Sequence, residues 1–288
     1  MSRGWYWREG AKDLNERATT SAADAQPVWH VSEGLSLFAG ALGRNARHSH
    51  SVPVFLAGLY ERFSLRIGDG AWQRCRSAVV PAGLPYEFDM GGSPLAVLYA
   101  EPGRLTVGEM HRLVGPARSE QGALVGQGGE VSVLRQSFED SDSAAWLSEA
   151  LEDLAGFAEA RAGAIDPRVR RVLRSLRQDH LAFDRADSAA AVAKLSASRF
   201  QHLFTQEVGV PYRRYRGWCR MRAAISAVLD GSNLTDAAHA AGFSDQPHFS
   251  RSSAASSVHR RITGSPMRAD GSDRPPTRGR ACAAGILP

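Results

Sequence analysis

The stretch Leu234 to Arg251, LTDAAHAAGFSDQPHFSR, leaves few folds open to the chain that carries it. Leu234, Ala237, Ala238 and Ala241 recur at helical spacing, so one stripe is apolar and narrow. Alanines on that stripe let another helix approach closely. Asn233 or Thr235 offers a short polar side chain to the orphan amides of the helix start. Gly242 stands where a helix ends in a left-handed residue, and Phe243 follows as a large anchor. Ser244 then caps a second helix, which buries Phe249 and turns Asp245, Gln246, His248, Ser250 and Arg251 outward. A short helix with a hydrogen-bonding outer face, braced by a small-residue helix, suits the DNA major groove.

GFSDQPHFSR after an LTDAAHAA helix resembles the second helix-turn-helix of the AraC/XylS transcription regulators. The resemblance implies that Ser244, Asp245, Gln246, His248 and Arg251 face DNA. Upstream, SAAAVAKLSASRFQHLFTQEVGVPYRRYRGWCRMRAA is similar to the first helix-turn-helix and the linker helix of the same family. There Phe200, Leu203 and Phe204 form a buried stripe, and Ser196, Ser198, Arg199, Gln201, His202 and Thr205 are left for DNA. Gln and Arg match adenine and guanine edges respectively. Pro211 starts the linker helix, with Tyr215, Trp218, Met221, Ala224 and Ile225 inward and Arg213, Arg214, Arg216, Arg220 and Arg222 mostly outward. Such outward arginines are phosphate contacts or plain surface more often than base readers. Asp166-Pro167 opens a preceding helix through Val169, Val172, Leu173 and Leu176, ringed by Arg168, Arg170, Arg171, Arg174 and Arg177 as solvated scaffold charges. One position departs from the family. The turn before Leu195 usually holds Gly, and here it is Lys194. Either the lysine is forced into an unfavourable turn, or the turn is shortened with Ala193 in the place of the buried alanine.

Charge supports this division. Residues 1–160 hold 14 Lys/Arg against 20 Asp/Glu, and residues 161–262 hold 17 against 8. An acidic front and a basic back half place phosphate contact in the back half. Cys75, Cys219 and Cys282 are odd in number and widely spaced, which indicates neither a disulfide frame nor a zinc site. No long apolar run or signal-peptide core is present, so the expectation is a cytoplasmic protein without a membrane partner.

Residues 1–27 read as a loose arm. From Val28 to Phe138 the pattern is short strands and turns, expected to form a β-sandwich or small barrel. Phe63, Leu65 and Ile67 alternate with polar residues, Gly68-Asp69-Gly70 signals a hairpin, and Trp72 begins the return strand. Ala78-Val79-Val80 and Leu95 to Tyr99 are buried runs. His48 and His50 flank Ser49, so on a strand both rings share a face, with Pro81 to Tyr86 closing the opposite rim. Gly43 to His50 and Pro81-x-Gly83-x-x-Tyr86 resemble the two motifs of the cupin barrel. Metal-binding cupins end the second motif in His, where this chain has Tyr86, and Glu61 lies too late to serve. Two imidazoles fall short of the usual three protein ligands, so no metal, catalytic residue or cofactor is expected. His48, His50 and Tyr86 are candidates for a small-molecule effector pocket, or plain polar lining. Residues 139–165 form a helix and linker, whose stripe of Trp146, Leu147, Ala150, Leu151, Leu154, Phe157 and Ala158 serves a homodimer or packs on its own barrel.

After Arg251 the family's closing apolar residues give way to SSAASSVHRRITGSP. That segment admits codons in which a two-base slip reads FRRLFGAPPDHR, close to the family's ending. Residues 267–288 would then be a tail without a stable fold. The expectation is an α+β multidomain chain: a cupin-like β-barrel over 28–138, and an all-α double helix-turn-helix domain over 166–266. It is expected to be a non-enzymatic regulator of transcription. Its partners would be double-stranded DNA, a small effector, RNA polymerase and a second copy of the chain. A metal-dependent cupin enzyme, a helical interaction module and a regulator impaired by the slip are the competing readings.

Overall fold

The computed structural model describes residues 26–158, 165–183 and 185–243. Among the described residues ten strands lie between 28 and 126: β1 Val28–Val31, β2 Leu35–Ala41, β3 Val54–Gly58, β4 Phe63–Ile67, β5 Gln73–Cys75, β6 Ser77–Val80, β7 Tyr86–Asp89, β8 Pro94–Ala100, β9 Ala117–Glu120 and β10 Ala123–Gly126. Seven of them form one antiparallel sheet in the order β1-β2-β8-β3-β6-β10-β9, and β5-β4-β7 form a second. The hairpin expected at Gly68 to Gly70 joins β4 to β5, with Phe63 opposite Cys75, and the return strand begins at Gln73 just after Trp72.

The large sheet explains its own sequence. VFLAG, SAVV and PLAVLYA are buried at every residue. Leu56, Val97, Tyr99 and Val80 face the small sheet, where Phe63, Leu65, Ile67 and Phe88 meet them. Phe55, Ala57, Val79, Ala96 and Leu98 face the other way, onto helices. A strand buried on both faces reads as a continuous apolar run, while the half-exposed β4 keeps its alternation.

Those helices correct one expectation. The region to Phe138 is not all strand and turn, because α1 Val107–Val114 and α2 Ser132–Glu139 lie within it. α1 starts with a reciprocal cap: the Thr106 hydroxyl accepts from the Glu109 amide, and the Glu109 carboxylate accepts from the Thr106 amide. α3, Ala144–Ala158, buries Leu147, Leu151, Leu154, Ala155 and Ala158 in the layer behind the large sheet, so its stripe packs on its own barrel. Phe157 stays 57% exposed.

The helical half comprises α4 Pro167–Gln178, α5 Ala186–Ala193, α6 Ala197–Val208, α7 Tyr212–Leu229 and α8 Leu234–Ala240. Asp166 caps α4, its carboxylate accepting from the Arg168 amide, with Pro167 in the first turn. The apolar stripes of α4 to α8 join the barrel interior in one continuous core. Among the described residues, no helix is long and apolar enough to cross a membrane.

Candidate nucleic-acid interface

α5 supplies the support for α6. Its alanines Ala189, Ala190 and Ala193 are buried, and the small side chains bring α6 close. The departure at Lys194 takes the first of its two alternatives: the lysine is left-handed, φ +56 and ψ +45, at the C-terminus of α5. Its amide donates to the Ala191 carbonyl at 3.0 Å, and the Leu195 amide donates to Ala190 at 3.0 Å. A β-carbon there costs about 1 kcal/mol relative to glycine.

Ser196 caps α6, its hydroxyl accepting from the Arg199 amide at 3.4 Å. Phe200, Phe204 and Val208 turn inward, and Phe200 and Phe204 meet Tyr212 with ring centres 5.3 Å away in each case. That inner aromatic grip fixes the rotation of α6 about its axis. Ser196, Ser198, Arg199, Gln201, His202 and Thr205 are consequently all exposed. Two are partly spent on their own helix: the Thr205 hydroxyl donates to Gln201 O at 2.8 Å, and His202 Nδ1 lies 3.3 Å from Ser198 O. Arg199 and Gln201 carry the outward-pointing donor and acceptor groups suited to base edges.

α8 is built on the same plan. The cap is Asn233 rather than Thr235, with its side chain accepting from the Asp236 amide at 2.9 Å. Ala237 and Ala238 are buried, Gly242 is left-handed at φ +78, and Phe243 is buried beneath the Arg220 guanidinium, 4.6 Å from the ring centre. Ser244, Asp245, Gln246, His248 and Arg251, the second set of DNA-facing candidates, lie outside the described residues, as does the altered tail.

The arginines divide in a way the sequence did not show. Arg177 and Arg222, expected outward, point into the seam between the halves. There they meet Glu101, a carboxylate 1% exposed at the end of β8, at 2.9 and 3.1 Å. Trp218 Nε1 donates to the same carboxylate at 3.2 Å and the Tyr215 hydroxyl at 3.4 Å. Tyr99 stacks near Trp218 with centres 5.1 Å apart. A barrel carboxylate is thus held by donors from α4 and α7. A glutamate after an apolar strand carries no signal in sequence that would single it out.

His48, His50 and Tyr86 are brought together inside the barrel. The rim assignment is corrected: Pro81 to Tyr86 runs beside the histidine segment, not opposite it. His48 and Tyr86 exchange backbone hydrogen bonds at 2.8 and 3.0 Å, and the Gly83 amide donates to His50 O at 2.8 Å. This direct pairing turns both imidazoles toward Tyr86, whose ring centre is 4.4 Å from His48 and 5.8 Å from His50. His48 Nδ1 lies 2.8 Å from Ala46 O, and a carbonyl only accepts, so Nδ1 bears the proton. Its Nε2 then accepts from His50 Nε2, 3.1 Å away. Burial lowers the pKa of both rings. His50 falls well below 6.5, first through burial and then through the charges of His48 and Arg214. Burial likewise pushes the Tyr86 hydroxyl well up, and it has no hydrogen-bond partner among the described residues. Among the described residues no cluster of three His, Cys, Asp or Glu is placed to hold a metal. Glu61 is tied to Ser93 on the surface instead. Cys75 and Cys219 are buried free thiols, raised to about 12 by burial.

The histidine segment also touches the helical half. Arg214, at the start of α7, donates to the Ser49 carbonyl at 2.7 Å and to its hydroxyl. A β-carbon on Gly83 would lie 3.3 Å from Val210, so that turn rests on the turn between α6 and α7.

A family model described as a helix-turn-helix domain matches residues 189–256, which span α6, α7 and α8. Among solved structures, the chain is similar to ToxT from Vibrio cholerae O395 bound to (E)-4-(8-methylnaphthalen-1-yl)but-3-enoic acid. That match has 11% identity and a TM-score of 0.53, covering 80% of this chain and 100% of that one. ToxT from the same strain gives 11% identity and a TM-score of 0.51, over 81% and 100%. Unsaturated fatty acid-bound wild-type ToxT from V. cholerae strain SCE256 gives 11% and 0.50, over 77% and 91%. No curated protein sequence matches.

Proposed function

We propose that this chain, which carries an AraC-type helix-turn-helix domain on a ToxT-like two-domain fold, is a sequence-specific DNA-binding regulator of transcription. The observation that carries the reading is the outer face of α6. Six polar residues, Ser196, Ser198, Arg199, Gln201, His202 and Thr205, stand in solvent while the aromatic face beneath them is locked. A firmly held helix with exposed hydrogen-bonding side chains is what major-groove reading requires. Ser244, Asp245, Gln246, His248 and Arg251 are assigned the same role on the second unit. With two such units on one linker helix, successive groove segments about 34 Å apart are within reach.

The barrel is the effector half in this reading. His48, His50 and the Tyr86 hydroxyl offer neutral hydrogen-bonding groups in an apolar interior, suited to a small organic molecule with a polar end. The named ligands of the ToxT structures, an unsaturated fatty acid and an arylbutenoic acid, are of that kind. Effector binding would shift the balance between arrangements of the two halves across the Glu101 seam.

The test is recovery of duplex from a random pool by the full chain. A shared motif among recovered duplexes, with retention falling steeply as salt rises, is the expected result. Recovery without any shared motif would refute sequence-specific reading. The same selection with the frame-restored tail reports what the segment after Arg251 does.

A further inference from the structure

We propose that Arg214 relays the state of the barrel's histidine site to α7, the helix that joins the two helix-turn-helix units. This rests on the reading of the barrel as the effector half and of the helices as the DNA-binding half, and it names the regulatory contact between them.

Backbone geometry sets up the relay. Successive side chains of an extended segment point to opposite faces. His48 and His50 turn together toward Tyr86, and Ser49 between them turns the other way, toward α7. Arg214, in the first turn of α7, donates to the Ser49 carbonyl at 2.7 Å and to its hydroxyl. Those bonds are charge-assisted and directional, so a shift of the Ser49 peptide breaks or redirects them. His48 and His50 flank that peptide on either side, so neither imidazole moves far without moving it.

One face of α7 leans on the same site. Arg214 and Trp218 are four residues apart, which places them one above the other on the helix. The Trp218 ring centre lies 5.1 Å from that of Tyr99, and Tyr99 lies 5.1 Å from His50, edge to face. The turn before α7 has its own seat. The Gly83 amide donates to His50 O at 2.8 Å, and a β-carbon on Gly83 would stand 3.3 Å from Val210. Packing contacts of that kind tolerate small sliding, whereas the Arg214 bonds do not. An occupant that bonds either imidazole or the Tyr86 hydroxyl thus acts on the corner between α6 and α7 through a polar link. Trp218 also donates to Glu101 at 3.2 Å, so the relay and the seam meet on α7.

The experiment is a double-mutant cycle in affinity for a duplex recovered from the pool. The full chain carries His50→Gln in three backgrounds: wild type, Arg214→Gln and Arg213→Gln. Circular dichroism checks that each is folded, and His48→Gln replaces His50→Gln if that variant is not. His50→Gln is expected to weaken binding in the wild-type and Arg213→Gln backgrounds. In the Arg214→Gln background the loss is expected to be smaller by a factor of about three or more, the coupling of residues in one network. An equal loss in all three backgrounds, or no loss in any, would overturn the relay. Hydrogen exchange without DNA is the second readout: His50→Gln should speed exchange across 209–216 and leave α3 as in the wild type. Unchanged exchange across 209–216 would also overturn the relay. A wild-type chain that retains no duplex overturns the DNA reading, and exchange then decides the relay alone.

Discussion

Inside the barrel, His48 and His50 are turned from water, and their hydrogen bonds run to Ala46, to the Asn45 side chain and to each other. On α6, Ser198, Arg199, Gln201, His202 and Thr205 stand in water, two of them bonded to their own helix. Both sets are polar groups placed by an apolar partner face, yet the backbone fixes them differently. The imidazoles are held by pairing of their own segment with Tyr86, so only a molecule that enters the barrel meets them. The α6 side chains are held at the root by Phe200 and Phe204 and stand in solvent at the tip, so a large partner meets them without opening the protein. The seam between the regions is a third environment, in which a charge is buried and fully engaged.

The largest expected effect comes from breaking that seam. Glu101→Ala would leave the largely buried Arg177 and Arg222 guanidiniums without their carboxylate, for a loss of about 2–4 kcal/mol, less than for a fully buried pair. Denaturant unfolding measures it, and a loss under about 1 kcal/mol would mean that the seam is open in solution. Next is Arg199→Ala, expected to reduce discrimination at one base position by about 1–3 kcal/mol, or about fivefold to 150-fold. Competition between single-base variants of the recovered duplex reads it directly. Lys194→Gly removes a β-carbon from a left-handed residue and should stabilise the chain by about 1 kcal/mol, with a raised Tm and unchanged DNA affinity.

The smallest effect at neutral pH belongs to the buried pair. The folded state keeps His50 neutral well below 6.5, while the unfolded chain takes up a proton as pH falls through 6.5. The unfolded state then binds more protons, so stability falls as pH drops from 6.5 toward the folded value. His50→Phe is expected to flatten that part of the Tm profile. A wild-type profile flat over the same window would mean that the rings are accessible to water.

Regular elements that bury one face were legible in the sequence, and pairings between distant residues were not. The alanine stripe, Gly242 and Phe243 announced the turn of the second unit, since a left-handed glycine followed by one large apolar residue has few other uses. Phe200 and Phe204 likewise fixed the outer face of α6. α1 was lost among strands because two helical turns give little periodicity, although Thr106 and Glu109 carried its capping signal. Nothing local separates Arg222 from Arg216 or Arg177 from Arg174, because their fates depend on Glu101, far away in the chain. The motif groups Tyr86 with the histidines but sets it on the opposite rim, whereas it pairs directly with His48, since strand register depends on partners rather than on the segment alone.

The most direct test of the division between an outward reading face and an inward pocket is photo-cross-linking. A recovered duplex carrying a photoreactive base within its motif would be irradiated with the full chain and the adducts mapped by mass spectrometry. Adducts within residues 198–205, with none on His48, His50 or Tyr86, are the expected result. Adducts confined to the barrel, with α6 unmodified, would contradict it.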